Sequence, residues 1–474
     1  MSPDAASPQL AILQFLTSLQ SPARILVAIS GGSDSTGLLL LLDEAVKTAP
    51  HLKISLCAAT VDHALRAGSA DEAREVAALC ASLGIPHIIM IWQGDKPKTG
   101  IMAAAREARY GLLAAAAESF EADLIVTGHT FDDQRETLQM RGMRTEQIST
   151  GIADAVLFNR RFWILRPLLF SSRADIRAFL KERGVPWIDD PSNEDVTYER
   201  VRTRRKLSAE AGAERNIRAA WEARLALSAR GADWLDRHFT LHGGLLGQVM
   251  PDGLRQDRAV LDYVLARLAA VFGGQPFAPG RAHMEHILAF ATGSEPGRMT
   301  VGRVVFDLRR DGLYLARESR GILPLVLQPG EAAVWDGRFY ARNASAASIE
   351  IQAPGDLGEQ DTSRSIESIT AQKRGGWIPV TSLGSSPRTG MRGRMHHLPK
   401  GAWKRAIASA PALSAERAPL SEEFARMVAL TPYFAPFDRF LTRFDFIFAN
   451  RLSAVFATAP YARLPLRSID GKTI

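Results

Sequence analysis

The sequence predicts an α/β protein whose N-terminal part is a parallel, doubly wound sheet, followed by a small helical α/β domain and a C-terminal β-rich domain. Three observations carry this expectation. Apolar runs of strand length alternate with amphipathic helical stretches through the first 190 residues, the pattern of β-α-β units covered on both faces. A loop made entirely of small and acidic residues, Ser30-Gly31-Gly32-Ser33-Asp34-Ser35, joins an apolar strand to an apolar helix. Beyond Trp335 the apolar stretches become short and alternating, as in a small β-rich domain.

Taken in order, residues 25–29, 54–61, 87–92 and 123–127 read as buried strands, with helices over 36–49, 70–83 and 102–120 between them. In such sheets ligands sit beyond the carboxyl ends of the strands. Three chemically loaded segments fall at those ends: the 30–35 loop, Asp62-His63-Ala64-Leu65-Arg66, and Gly128-His129-Thr130-Phe131-Asp132-Asp133-Gln134-Arg135-Glu136-Thr137. Topology therefore predicts one site built from three motifs.

The 30–35 loop has the makings of a phosphate cradle. Glycines let the backbone turn and approach a ligand closely, hydroxyls add donors, and the following helix offers unpaired N–H groups and a positive dipole end. It lacks the Lys-Ser/Thr ending of a Walker loop. In the third segment a helix starting near Asp132 places Asp133 and Glu136 three residues apart on one face. Two such carboxylates can hold Mg²⁺ against phosphates or grip an ammonium group. An Asp pair at a helix start also serves as a cap, and His129, at a strand end, reads as a packing or hydrogen-bonding residue as readily as a catalyst.

Composition narrows the class. Hydrophobic residues at 46% and charged residues at 23% match an ordinary soluble protein, and no run of about 18 apolar residues suggests a membrane span. Cys57 and Cys80 are the only cysteines and form no CxxC pattern, which argues against a disulfide framework or a zinc or iron–sulfur site and fits a reducing cytoplasm. Charge is divided unevenly along the chain. Residues 1–200 carry 20 Lys and Arg against 25 Asp and Glu, whereas the remainder carries 38 against 26. A basic region attached to a slightly acidic nucleotide-binding domain implies a polyanionic partner, RNA or DNA being the commonest.

Six motifs in order make the chain similar to a known family. Ser30 to Ser35, Val61-Asp62-His63-Ala64-Leu65-Arg66, Ala105-Arg106-Glu107-Ala108-Arg109-Tyr110, Gly128 to Thr137, Arg166-Pro167-Leu168-Leu169 and Asp190-Pro191-Ser192-Asn193 resemble the motifs of the bacterial tRNA(Ile)-lysidine synthetases, of the PP-loop (N-type ATP pyrophosphatase) superfamily. The chain departs from the family after Thr137, where it reads Leu138-Gln139-Met140-Arg141-Gly142 in place of a Leu-rich helix and an Arg-Gly-Ser-Gly turn. It departs again after Asn193, where Arg200, Arg202, Arg204 and Arg205 stand in place of an Arg-Asn-x-Ile-Arg pattern.

The resemblance implies an adenine nucleotide alpha hydrolase-like fold and ligation of free L-lysine to C2 of the wobble cytidine of tRNA(Ile), through an adenylated cytidine, with release of AMP and pyrophosphate. It implies ATP and Mg²⁺, a cytoplasmic monomer or homodimer, and no membrane. Ser30, Gly31, Gly32, Ser33, Asp34, Ser35, Asp62 and His63 would bind the nucleotide. Asp34, Asp133, Glu136 and Arg109 would serve catalysis, Asp34 and Asp133 as Mg²⁺ ligands, and Arg106 and Arg109 would neutralise phosphate or RNA backbone. The rival readings are a tRNA-thiolating enzyme, which needs cysteines to carry sulfur, a small-molecule amidating ligase, and a noncatalytic RNA-binding protein.

The expected organisation is a catalytic domain over 1–210, a helical connector with a small α/β tRNA-binding domain over 211–325, and a β-rich tRNA-binding domain over 326–474. Residues 200–237 read as a basic helix, 261–291 as helical, and 298–307 and 312–317 as a strand pair. Further strands are expected at 337–342, 348–352, 377–380 and 444–448, with a polar loop over 355–376. Arg388, Arg392, Arg394, Lys400, Trp403, Lys404 and Arg405 form a basic run with an aromatic inside it, suited to RNA.

Overall fold

The computed structural model describes residues 7–65, 68–142, 149–189, 213–354, 378–379, 398–415, 427–469 and 472–473. The chain forms two compact units, one of Met1–Leu225 with Phe440–Phe444 and Ala462–Ile474, the other of Ala226–Arg439 with Asp445–Tyr461.

The first unit is built from α1 (Pro8–Ser18), β1 (Ala23–Ala28), α2 (Ser33–Thr48), β2 (Ile54–Asp62), α3 (Ser69–Leu83), β3 (His87–Ile91), α4 (Ile101–Ser119), β4 (Leu124–Thr127), α5 (Phe131–Gly142), β5 (Ala155–Phe158), β6 (Phe162–Leu165) and α6 (Arg173–Glu182). Strands β3-β2-β1-β4-β6 run parallel in that order, so the sheet reverses its winding between β1 and β4. A ligand crevice opens at such a switch point. The expected parallel doubly wound sheet is therefore present. β4 is apolar and buried throughout, and β1 is so except at the exposed Arg24, because helices cover both faces. Alanine-rich α4 combines high helix propensity with small side chains, and Ala116 and Ala117 share a core with Leu26, Ile125 and Ile164.

Two features of this sheet escaped the sequence reading. β5 and β6 form a hairpin whose turn residues Asn159 and Arg160 both take positive φ, 50° and 59°. The strand Phe440–Thr442, from far along the chain, pairs antiparallel with β5 at the sheet edge. Its neighbour Arg443 is tied to Asp154 at 2.5 Å, and Phe444 packs with Trp221 and Val156.

α7 (Ala213–His238) leads into the second unit. There β7 (Phe239–His242), β8 (Leu246–Val249), α8 (Arg258–Gly273), α9 (Arg281–Ala291), β9 (Gly297–Val301), β10 (Val304–Arg309) and β11 (Gly312–Arg317) give a five-stranded antiparallel sheet, order β7-β8-β11-β10-β9, with helices. Smaller sheets follow from β12 (Leu325–Leu327), β13 (Ala332–Trp335), β14 (Phe339–Asn343), β15 (Ile349–Gln352), β16 (Ile378–Pro379), α10 (Lys400–Ala408), β17 (Ala412–Ala415) and β18 (Val428–Pro432). The small α/β part and the β-rich part thus exist as expected in kind.

Several element boundaries differ. The 261–291 helix is two helices, broken where Gly274 takes φ +62° before Pro276 and Pro279. The single strand at 298–307 is a hairpin, because Gly302 and Arg303 both take positive φ and turn β9 into β10. Residues 444–448 are helical, as a short 3₁₀ turn and then α11 (Phe446–Val455). Phe444, Phe448 and Leu452 are buried four residues apart, a helical period that the alternating phenylalanines masked. The 355–376 segment, Arg388, Arg392, Arg394 and the arginines at 200–205 lie outside the described residues. No helix among the described residues is long and apolar enough to cross a membrane.

Candidate active site

The 30–35 loop is held in shape by its own small residues. Gly31 takes φ +82°, and a Cβ there would stand 2.6 Å from Cδ1 of Ile188, so only glycine fits both the backbone and the space. The Ser30 N–H donates to Ser35 Oγ at 3.1 Å, and that hydroxyl donates to the Gly32 carbonyl at 3.1 Å. Thr36 Oγ1 donates to the Gly31 carbonyl at 3.1 Å, and the Ile188 N–H reaches the same oxygen at 2.9 Å. These bonds tie the loop to itself and to Ile188, with the start of α2 behind it.

The third motif meets the loop through Gly128. A Cβ on Gly128 would lie 2.8 Å from the Asp34 carbonyl oxygen, so the missing side chain lets the end of β4 touch the start of α2. From there α5 begins, with Asp133 at its third position. Asp133 Oδ2 accepts from the Thr130 N–H at 2.9 Å and from Thr130 Oγ1 at 3.1 Å, a capping arrangement. Its other oxygen faces Arg173 at 3.5 Å. Asp133 therefore caps its helix and presents charge to the site at once. Glu136, one turn further along α5, is buried at 1% exposure.

Arg173, the first residue of α6, joins these carboxylates. Its Nε donates to Asp34 Oδ2 at 2.8 Å, and its backbone N–H donates to Asp132 Oδ2 at 2.8 Å. Burial pushes the Asp34 carboxyl above its ordinary value, Arg173 pulls it back, and neighbouring Asp133 pushes it up again. For Arg173 burial works against the charge, but Asp34 and Asp133 more than offset it, so its pKa is raised. One turn on, Arg177 Nε donates to Ser33 Oγ at 3.2 Å and its terminal nitrogen pairs with Asp189 at 2.8 Å. Sequence reasoning missed both arginines. Their one local signal was a capped helix start, Ser172 accepting from the Asp175 N–H, shortly after the Arg166-Pro167-Leu168-Leu169 motif.

At the end of β2, Asp62 Oδ1 accepts from the Ala64 N–H at 2.8 Å, closing a turn in which Ala64 takes φ 51°. His63 stands edge-on to Trp92 at 5.9 Å, and its buried Nδ1 has no hydrogen-bond partner among the described residues. Burial lowers the His63 pKa, and Arg109 lowers it further. Arg109 is itself pulled below its ordinary value by burial, while Tyr110 and Asp133 act in the opposite sense. Arg109 acts on His63 and is acted on by Asp133, which links the second motif to the third. Arg106 is exposed, 5.2 Å from the Tyr110 ring centroid.

Other expected residues have structural partners. His129 Nδ1 lies 2.9 Å from Thr127 Oγ1. Gln134 is fully buried and clamps Ile152, its Nε2 donating to the carbonyl at 2.8 Å and its Oε1 accepting from the N–H at 2.5 Å. Cys57 and Cys80 are buried, and burial pushes both thiols up to about 11, which leaves neither suited to carrying sulfur. Among the described residues no three His, Cys, Asp or Glu side chains are placed to share a metal ion. Asp34 and Asp133 suit Mg²⁺ in a different way, since that ion is commonly held by one or two carboxylates together with substrate phosphates. A recess of about 540 Å³, lined in part by Glu118, Asp123 and Arg161, lies by the amino end of β4, at the sheet edge opposite these motifs.

Comparison with known proteins gives the family. Residues 6–211 match the model of the PP-loop domain. The tRNA(Ile)-lysidine synthase of Rhizobium meliloti (strain 1021) is 44% identical over 356 residues, 72% of this chain and 78% of that protein. The chain belongs to the tRNA(Ile)-lysidine synthase family. Family members from Mesorhizobium japonicum, 35% identical over 93% of both chains, and from Brucella melitensis biotype 2, 39% identical over 70% of this chain and 77% of that protein, extend the match. Among solved structures, the U34-tRNA thiolase NcsA from Methanococcus maripaludis aligns at 16% identity with a TM-score of 0.39, covering 46% of this chain and 77% of that one. That likeness is too weak to bear on the lysidine synthase assignment.

Proposed function

We infer that this protein forms lysidine in tRNA(Ile) at the expense of ATP, as a ligase that makes a carbon–nitrogen bond, and that its chemistry runs at the crevice between β1 and β4. The observation that carries this reading is the convergence there of the 30–35 loop, Asp34 and Asp133, within a chain of the lysidine synthase family.

In the first step O2 of the wobble cytidine attacks the α-phosphorus of ATP, and the bond to the β,γ-pyrophosphate breaks. Backbone N–H groups and hydroxyls of Ser30, Gly31, Gly32, Ser33 and Ser35 hold the departing pyrophosphate, with the α2 amino end behind them. Asp62 and His63 border the nucleotide at the end of β2. Asp34 and Asp133 would hold Mg²⁺, which when bound neutralises phosphate charge. In the second step the ε-amine of free lysine attacks C2, and AMP leaves with the cytidine oxygen. Asp133 and Glu136 position the lysine ammonium before it loses a proton, and Arg109 steadies developing negative charge. The protein works in the cytoplasm, with residues 1–210 carrying the chemistry, Phe440–Thr442 joining their sheet, and the remainder of 211–325 and 326–474 holding tRNA.

The oxygen balance gives the test. With ¹⁸O at O2 of the wobble cytidine, the label should appear in AMP and leave the nucleoside. Label retained in the RNA, or AMP formed at full rate without tRNA, would refute this order of events and favour a small-molecule ligase.

A further inference from the structure

A phosphate loop that expels pyrophosphate must meet several negative charges, yet residues 29–42 contain no Lys or Arg. Neutral N–H groups and hydroxyls orient the phosphates but bring no positive charge of their own to add to that of Mg²⁺. The fold supplies cations from elsewhere. Arg173 and Arg177 are one turn apart on α6, on the same face, and each contacts the loop: Arg173 Nε at 2.8 Å from Asp34 Oδ2, Arg177 Nε at 3.2 Å from Ser33 Oγ. Packing fixes this face, since a Cβ on Gly37 of α2 would stand 2.3 Å from Cγ2 of Ile176, so the two helices sit side by side behind the loop.

Neither guanidinium is used up by these contacts. A guanidinium carries five N–H donors in a planar fork. Arg173 engages Asp34 through Nε and stands 3.5 Å from Asp133 through one terminal nitrogen, and its other terminal nitrogen has no hydrogen-bond partner among the described residues. Arg177 engages Ser33 and Asp189, and it too keeps one terminal nitrogen without such a partner. The Arg173 side chain is 19% exposed and that of Arg177 41% exposed, so both can be reached from solvent. A purely structural pair would be expected to spend its donors inside the protein.

We propose that α6 forms the cationic wall of the pyrophosphate pocket, with Arg173 and Arg177 binding the leaving pyrophosphate and Asp34 aiming Arg173 at it. The inference rests on the reading of the 30–35 loop as the pyrophosphate site. It gives the loop the positive charge that a Walker loop carries in its own lysine, delivered from residues 139 and 144 positions further along the chain.

The test is calorimetric titration of the full-length protein with inorganic pyrophosphate and Mg²⁺, and separately with AMP, for wild type, Arg173→Gln, Arg173→Lys, Arg177→Gln and Ser35→Ala. Arg173→Gln and Arg177→Gln should each weaken pyrophosphate roughly tenfold or more while changing AMP by no more than about threefold, and Arg173→Lys should recover part of the loss. Pyrophosphate affinity that is unchanged in both glutamine variants, or that falls together with AMP, overturns the proposal. Should Arg173→Gln melt without cooperativity, the more exposed Arg177→Gln and the charge-keeping Arg173→Lys decide the matter. Ser35→Ala separates the two readings. Loss of pyrophosphate affinity there but not in the arginine variants sinks the α6 wall alone, and no loss there sinks the loop assignment itself.

Discussion

Asp34 is where charge, packing and chemistry meet at the scale of a single residue. Its carboxylate is mostly buried, faces Arg173 at 2.8 Å and stands near enough to Asp133 to feel its charge. Asp34→Ala should lower the rate of cytidine adenylation about 10²-fold or more, while the protein still melts cooperatively, at a somewhat lower temperature because Arg173 loses its ion-pair partner. Near-normal turnover would remove Asp34 from the mechanism. His63 offers a reading independent of activity. Burial and the Arg109 charge lower its pKa, so the neutral form is favoured in the folded protein, and the associated stability is present above about pH 6.5 and lost as pH falls through the depressed value. NMR titration should place its midpoint below 6.5, and Arg109→Gln should move it upward. A midpoint that ignores the substitution would mean that Arg109 does not face the nucleotide edge of the site.

At the scale of elements, close approaches position the motifs. Gly128 lets the end of β4 rest on the start of α2, so Gly128→Ala should cost about 1–3 kcal/mol through overpacking and reduce activity by displacing Asp34. Retained activity with unchanged melting would show that the contact is slack. The edge strand Phe440–Thr442 belongs to the same sheet as the loop. A truncation at residue 326 therefore strips part of the catalytic unit, and its ATP binding should fall along with its tRNA binding. A truncated protein that melts like the full chain would contradict that role for the strand.

What the sequence disclosed at this scale follows physical lines. β1, β2, β3, β4 and the helices between them were legible because each is a continuous apolar run or an amphipathic stretch ended by turn residues. The hairpin β5–β6 was not, because its two apolar runs are separated by only Asn159, Arg160 and Arg161, with no helix between them, and so fall outside the β-α-β alternation, and Phe444, Phe446 and Phe448 fit a strand or a helix until their partners are known. In the site, the 30–35 loop and Asp133 announced themselves by residue type, whereas Arg173 looks like any surface arginine at a helix start. Its partner lies 139 residues away, a distance that no local pattern spans.

Charge at the scale of the whole molecule has to be read with its partners. The basic excess after residue 200 suggested RNA, and several of those arginines turn out to serve the second unit internally. Arg317 and Arg338 share Asp336, at 2.9 and 2.6 Å, and Arg309 and Arg405 share Asp307. Trp403 of the basic run packs against Gly243. The remaining exposed cations should still give tRNA binding a salt dependence, so affinity measured at several salt concentrations should fall steeply as salt rises. A flat dependence would mean that the basic excess is only a solvated surface.

The most direct test of the account is mass spectrometry of the nucleosides of tRNA(Ile) after incubation with the full-length protein, ATP, Mg²⁺ and isotopically labelled lysine, with wild type and Asp34→Ala compared at equal folded concentration. The wild type should convert the wobble cytidine to lysidine carrying the label, with one AMP and one pyrophosphate per lysidine, and Asp34→Ala should fold and fail. A sulfur-containing nucleoside, unmodified cytidine from the wild type, or full conversion by Asp34→Ala would contradict it.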